Sequence, residues 1–277
     1  MIAVLLAVAL TAPDRIDVRL PADVAITAAG VLGFVVPELE SRALVPAHCR
    51  ICDGADNTGL PGTGGRDSLN AVDGLFHDAL TGWLVSRATA DKISSVLAFG
   101  VIPVGAVVAS GFATGPHASD CAGFRNGVVI AESAAVSAAL VQGVKFVAAR
   151  KRPFVRYGTG STEGTYSVTD PDSRIGFPSG HTALAASAGF SAAMTASLED
   201  SPAAPWLWAG AALGTVTTAT LRMMAEKHYF TDTLAGAAIG AASGVVFPLL
   251  HRRGGPLSSP SVSAGASGSL LAVSGSF

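Results

Sequence analysis

Three clusters in the 277-residue sequence combine residue types that handle charged groups. The first is VKFVAARKRPFVR, in which Lys145 and Arg152 stand about two helical turns apart and Pro153 follows at once. The second is GFPSGHTALAASAGF, where Pro178, Ser179, Gly180 and His181 open directly into a run of small apolar residues. Ser179 after the breaker Pro178 is a good helix N-cap. A helix start also presents free N–H groups and the positive end of the helix dipole, which suit an anion. The third is LRMMAEKHYFTDTLAG, with Arg222 six residues before His228 and Asp232 four residues after it. The latter spacing sets imidazole and carboxylate side by side on a helix. Asp232 can then accept a hydrogen bond from one ring nitrogen of His228 and leave the other free to act as a nucleophile.

Singly, each cluster has a plain structural reading: a basic membrane flank, a helix cap, and a structural His–Asp bond. Together they amount to more. Lys145, Arg152 and Arg222 are three cations, Ser179 and Gly180 mark a helix N-terminus, His228 is a nucleophile and His181 a proton donor. Cationic side chains and backbone N–H groups cradle phosphate oxygens. Phosphoryl transfer needs positioning, charge stabilisation, a nucleophile and an acid for the leaving oxygen.

The elements that must position these residues are apolar. Only 14% of the chain is charged, 49% is apolar and mean hydropathy is +0.48, against about 25% charged residues in a soluble domain. The formal charge of −2 excludes a globally basic nucleic-acid binder. Apolar stretches recur at 24–36, 95–115, 127–147, 180–198, 204–221 and 233–250. Most have the roughly 18–20 residues that a membrane-crossing helix needs, and the first is short. The composition therefore predicts an all-α polytopic membrane bundle with about six transmembrane helices. A soluble all-helical protein with alanine-rich core helices is the competing reading.

Six spans bring the three clusters together. The third stretch ends and the fourth begins on one membrane face, the fifth returns to it, and the sixth starts there. Segments 145–156, 179–181 and 222–232 should therefore converge. The basic HRRGG after the last stretch predicts a cytoplasmic C-terminus and, with six spans, a site facing the exterior or periplasm.

Around this core, residues 1–20 read as a signal peptide or N-terminal anchor, and 21–94 as a first span followed by a long polar loop with a surface helix near 75–87. Residues 95–252 hold the functional core, and 253–277 form a Gly/Ser-rich tail expected to be disordered. Cys49 and Cys52 form a lone C-x-x-C, for which a local disulfide or two thiols is a better reading than zinc; Cys121 stands apart. Asp53 and Asp56 do not fit a calcium loop. The polar loop 157–175 can serve as a lid or as an inert connection.

The pattern Lys145–Arg152–Pro153, Pro178–Ser179–Gly180–His181 and Arg222–His228–Asp232 resembles the signature of the type 2 phosphatidic acid phosphatase (PAP2) and vanadium haloperoxidase superfamily. One departure is Leu221, where the family usually has serine. The resemblance implies a phosphohistidine on His228 oriented by Asp232, with His181 as general acid and then general base. It also implies phosphate held by Lys145, Arg152, Ser179, Gly180 and Arg222, and no metal or cofactor requirement for hydrolysis. With the apolar spans, it predicts a multi-pass phosphatase of the bacterial inner membrane acting on a lipid phosphate or diphosphate. A vanadate-dependent haloperoxidase and a soluble nonspecific acid phosphatase share the motif and are the alternatives.

Overall fold

The computed structural model describes residues 15–46, 49–51, 70–114, 121–157, 170–258, 261–264 and 271–274. Most of residues 1–20, and the loop residues 52–69 and 158–169, lie outside the described residues, and with them Cys52 and the expected signal peptide. Cys49 is disulfide-bonded, and Cys121 is a free, exposed thiol.

The described chain is mostly helical. Helix α1 (Leu20–Leu39) has proline in its first turn, and α2 (Ala71–Leu80) is capped by Asn70, which accepts from the Asp73 N–H. Helix α3 (Arg87–Phe112) is capped by Ser86 and carries a π-helical turn at Leu97–Val101. It starts a full two turns before the apolar stretch it contains, because its polar first turns are invisible to hydropathy. Helices α4 (Ala122–Ala148), α5 (Gly180–Leu198), α6 (Ala204–Met224) and α7 (Phe230–His251) follow. Within the tail expected to be disordered, Ser261–Ala264 and Leu271–Ser274 pair antiparallel.

Six long helices stand where six apolar stretches were expected, and among the described residues α1, α3, α4 and α7 are long and apolar enough to cross a membrane. Helices α5 and α6 fill the fourth and fifth expected stretches but are less apolar. The reason is clearest in α5. It packs against α3, α4, α6 and α7 and buries alanine on nearly every side. A helix enclosed by protein needs small residues for close packing, and it can keep Ser187, Ser191 and Thr195 because their hydroxyls bond within the bundle. The first stretch, short by hydropathy, is a 20-residue helix.

Glycines set the contact between α5 and α7. A Cβ at Gly236 would lie 2.3 Å from the Ser179 carbonyl oxygen, and one at Gly240 would lie 2.2 Å from that of Ala183. This spacing of four residues lets the two backbones touch. The same approach allows the Ser179 N–H to donate to the Asp232 carbonyl at 2.9 Å, locking the two helix starts together.

Candidate active site

A cavity of about 560 Å³ opens between α1, α3, α4, α5 and α6 and the residues just before α7, and Lys145, Arg152, Gly180, His181, Arg222 and His228 all line it. The convergence expected from the parity of the spans is therefore present. Ser179 and Asp232 do not line the cavity.

Lys145 reaches the cavity from the last turn of α4, and its ammonium makes no hydrogen bond among the described residues. A Cβ on Gly180 would sit 3.7 Å from its Nζ, so the glycine keeps this corner open. Arg222, in the last turn of α6, pairs with Asp91 and lies 3.3 Å from the Ser94 hydroxyl, while its buried Nε lacks a hydrogen-bond partner. His181, in the first turn of α5, has its Nε2 3.1 Å from the Ser95 hydroxyl and its ring edge-on to Phe99 at 4.8 Å. Phe99 sits in the π-helical turn of α3, a distortion found often at functional sites.

Arg152 is fully engaged. Its Nη1 donates to the Lys227 carbonyl at 2.8 Å and lies 3.0 Å from His228 Nε2. Its Nε and Nη2 donate to the carbonyl (2.7 Å) and carboxylate (2.6 Å) of Asp172. Asp172, on the one-turn helix Pro171–Arg174, also lies 4.0 Å from Lys227 Nζ. Burial pushes its carboxyl up, yet Arg152, Lys145 and Lys227 outweigh burial and hold it below the usual carboxylate range. Burial, and then the charge of Arg152, push the Lys227 ammonium down to about 8.

His228 lies between α6 and α7 and is wholly enclosed. Its Nδ1 is 2.6 Å from the Gly176 carbonyl, which places the proton on Nδ1 and leaves the Nε2 lone pair towards the cavity. Burial first, and then Arg152, Arg222 and Lys145, lower its pKa well below the ordinary value, so the ring is neutral at neutral pH.

Two expected roles change here. Asp232 Oδ2 is 3.8 Å from His228 Nδ1, within ion-pair range but beyond a hydrogen bond. Its carboxylate instead accepts from the Tyr229 N–H at 2.8 Å and pairs with Arg150, because the start of α7 is a capping box that needs this oxygen. Ser179 faces Thr182 rather than the cavity: its hydroxyl caps α5 and lies 3.0 Å from the Thr182 hydroxyl. Arg150 belongs to this supporting layer. It bridges Asp232 and Asp73 (2.8 Å) and lies over the Tyr229 ring, and these carboxylates raise its pKa despite burial.

Asp91, Asp172, Ser95, Gly176 and Asp73 are neighbours of the candidate site that the motifs do not include. A signal exists for Asp91 and Ser95, which stand one turn apart at the polar lip of a span, where an ionisable residue points to function. None exists for Asp172 or Gly176.

Residues 126–255 match the family model of the PAP2 superfamily, which supports assigning this segment to that superfamily. The matched segment contains every motif residue named above. No curated protein and no solved structure matches the chain. The match supports phosphatase-type activity in general, and four helices are long and apolar enough to cross a membrane.

Proposed function

We propose that the protein hydrolyses a lipid phosphate or diphosphate through a phosphohistidine formed on His228. One observation carries the lipid part of this reading: the cavity has two kinds of lining. Lys145, Arg152, Arg222 and Lys227, with the acids Glu38, Asp91 and Asp172, give it charge. Val31, Phe34, Ala134, Ala138, Val141 and Leu184, from α1, α4 and α5, give it apolar wall. A charged head on an apolar tail fits both, whereas a water-soluble ester would leave the apolar wall uncovered.

In the first step His228 Nε2 forms a bond to phosphorus as the P–O bond to the lipid breaks. His181 gives its proton to the departing oxygen, and Lys145, Arg152 and Arg222 neutralise the charge on the phosphoryl oxygens. In the second step His181 takes a proton from water, water oxygen bonds to phosphorus, and the P–N bond breaks. The Nε2 lone pair meets Arg152 in the resting site, so binding requires Arg152 to turn from the ring to the phosphate. Gly176 holds Nδ1–H throughout and keeps the attacking nitrogen aimed.

We further place the site on the exterior or periplasmic side of a bacterial inner membrane, from the exposed Arg252 and Arg253 after α7. A C-terminal fusion to a reporter active only in the periplasm should be silent. For the substrate class, phosphate release from phosphatidate, phosphatidylglycerol phosphate, undecaprenyl diphosphate and a water-soluble phosphate ester should be compared on detergent-purified protein. A lipid should exceed the soluble ester in kcat/KM by at least tenfold, and equal rates would count against the apolar wall as a substrate contact.

A further inference from the structure

At the opposite end of the bundle, three ionisable side chains meet inside the protein. Asp23 comes from the first turn of α1, Glu132 from α4 and His251 from the last turn of α7, and all three are buried. Glu132 precedes Lys145 by thirteen residues on one helix, about 20 Å along its axis, so this cluster is separate from the phosphate cavity.

His251 Nδ1 lies 2.9 Å from the Phe247 carbonyl, an arrangement that puts the proton on Nδ1 and turns the Nε2 lone pair inward. Nε2 is 3.3 Å from Asp23 Oδ1 and 3.2 Å from Glu132 Oε2, and ligand atoms of the three residues all lie within 4.8 Å of one another. A cation about 2.1 Å from each of three ligands at tetrahedral angles separates them by about 3.4 Å. The two distances from Nε2 match that spacing, and the carboxylate oxygens lie within 4.8 Å of each other.

A second observation points the same way. Glu132 is completely buried, yet neither carboxylate oxygen has a hydrogen-bond partner, and Asp23 Oδ2 has none either. Neither carboxylate pairs with a lysine or arginine among the described residues. With a neutral imidazole the cluster carries two negative charges, and protonating His251 still leaves one. One divalent cation would balance the charge and satisfy the orphaned oxygens together. One imidazole nitrogen and two carboxylates suit zinc or another divalent first-row metal.

We propose that Asp23, Glu132 and His251 bind a divalent transition-metal ion that fastens α1 to α4 and α7. The backbone around the cluster fits this role: the Asp17 N–H donates to the His251 carbonyl at 2.9 Å, and the Arg253 N–H to that of Arg15 at 2.7 Å. The segment before α1 and the end of α7, distant in sequence, are thus joined beside the cluster.

The test uses the full chain in detergent, stripped with a chelator and reloaded with zinc, then desalted and assayed for bound metal and thermal midpoint. Wild type should retain one zinc per chain and melt several degrees higher for it. E132Q and H251Q should lose that zinc and the thermal gain, with helical circular dichroism confirming their fold. If both variants fail to fold, the cobalt(II) spectrum of wild type decides. Tetrahedral d–d bands without a thiolate charge-transfer band support the site, and their absence or a thiolate band overturns it. Wild type that binds no zinc and shows no thermal shift, or folded variants that keep the metal, would equally overturn it.

Discussion

Arg152 gives its guanidinium to Asp172, with Nη2 2.6 Å from the carboxylate and Nε 2.7 Å from the carbonyl of the same residue. An acid therefore occupies the cation best placed beside His228 Nε2, where a phosphate oxygen would otherwise bind. Any phosphate must displace this carboxylate or share the arginine with it. Replacing Asp172 by Asn removes the competing charge and leaves the backbone contact. D172N should bind inorganic phosphate about three- to tenfold more tightly, a gain of about 0.7–1.4 kcal/mol, measured as the product-inhibition constant. An unchanged or weaker constant would show that Asp172 holds Arg152 in place rather than competing with the ligand.

The contact between His228 and Gly176 bears on Asp232. In a triad-like arrangement the carboxylate sets the tautomer, and its loss is severe. Here the Gly176 carbonyl holds Nδ1–H and Asp232 holds Arg150 and the start of α7. D232N should therefore lower thermal stability, by about 1–3 kcal/mol for a disturbed buried polar network, and lower kcat much less than H228A does. Equal losses of kcat with unchanged stability would return Asp232 to the role that its spacing suggests.

A second buried acid gives the protein a pH dependence. His77 Nε2 lies 3.0 Å from Glu226, whose other oxygen lies 3.0 Å from Arg87. Burial lowers the His77 pKa, but Glu226 and then Asp78 outweigh burial, and the net shift is upward from 6.5. A raised folded-state value means that the stability from this pair is fully present below pH 6.5 and is lost as pH rises through the folded pKa. The thermal midpoint should fall across this window in wild type, and H77Q should flatten that fall. A midpoint with the same slope in both proteins would contradict the assignment.

Gly240 tests the packing that fixes the site. Its added Cβ would meet the Ala183 carbonyl at 2.2 Å, whereas one at Gly210 on α6 meets nothing within 4 Å. G240A should destabilise the protein by about 1–3 kcal/mol through overpacking and reduce activity by shifting the start of α5. G210A should be neutral or stabilising by up to about 1 kcal/mol, since alanine is the better helix former. Thermal melts of the two variants in detergent make the comparison.

Much of the candidate site is legible in the sequence, because the motif residues carry charge into apolar surroundings and charge there is rare. Lys145, Arg152, His181, Arg222 and His228 reach one cavity by the parity argument alone. The rest depends on geometry that spacing does not encode. An i, i+4 pair can form a hydrogen bond, but the capping need at Tyr229 and the pull of Arg150 draw Asp232 aside. Asp172 lies in a polar loop with nothing to distinguish it from the acid two residues earlier. His251 reads as part of a basic flank, HRRGG, yet it turns inward to two carboxylates while Arg252 and Arg253 stay exposed. Alanine-rich α5 reads in sequence like a helix facing lipid, yet it is enclosed by its neighbours.

The phosphohistidine is the centre of the account, and rapid quenching tests it most directly. Wild-type protein mixed with a substrate labelled in its terminal phosphate should be stopped in alkali within one turnover and digested. The account predicts an acid-labile, alkali-stable phosphate on the peptide containing His228, with neither label nor phosphate release in H228A. Phosphate release by H228A at the wild-type rate, or label on another residue, would contradict it.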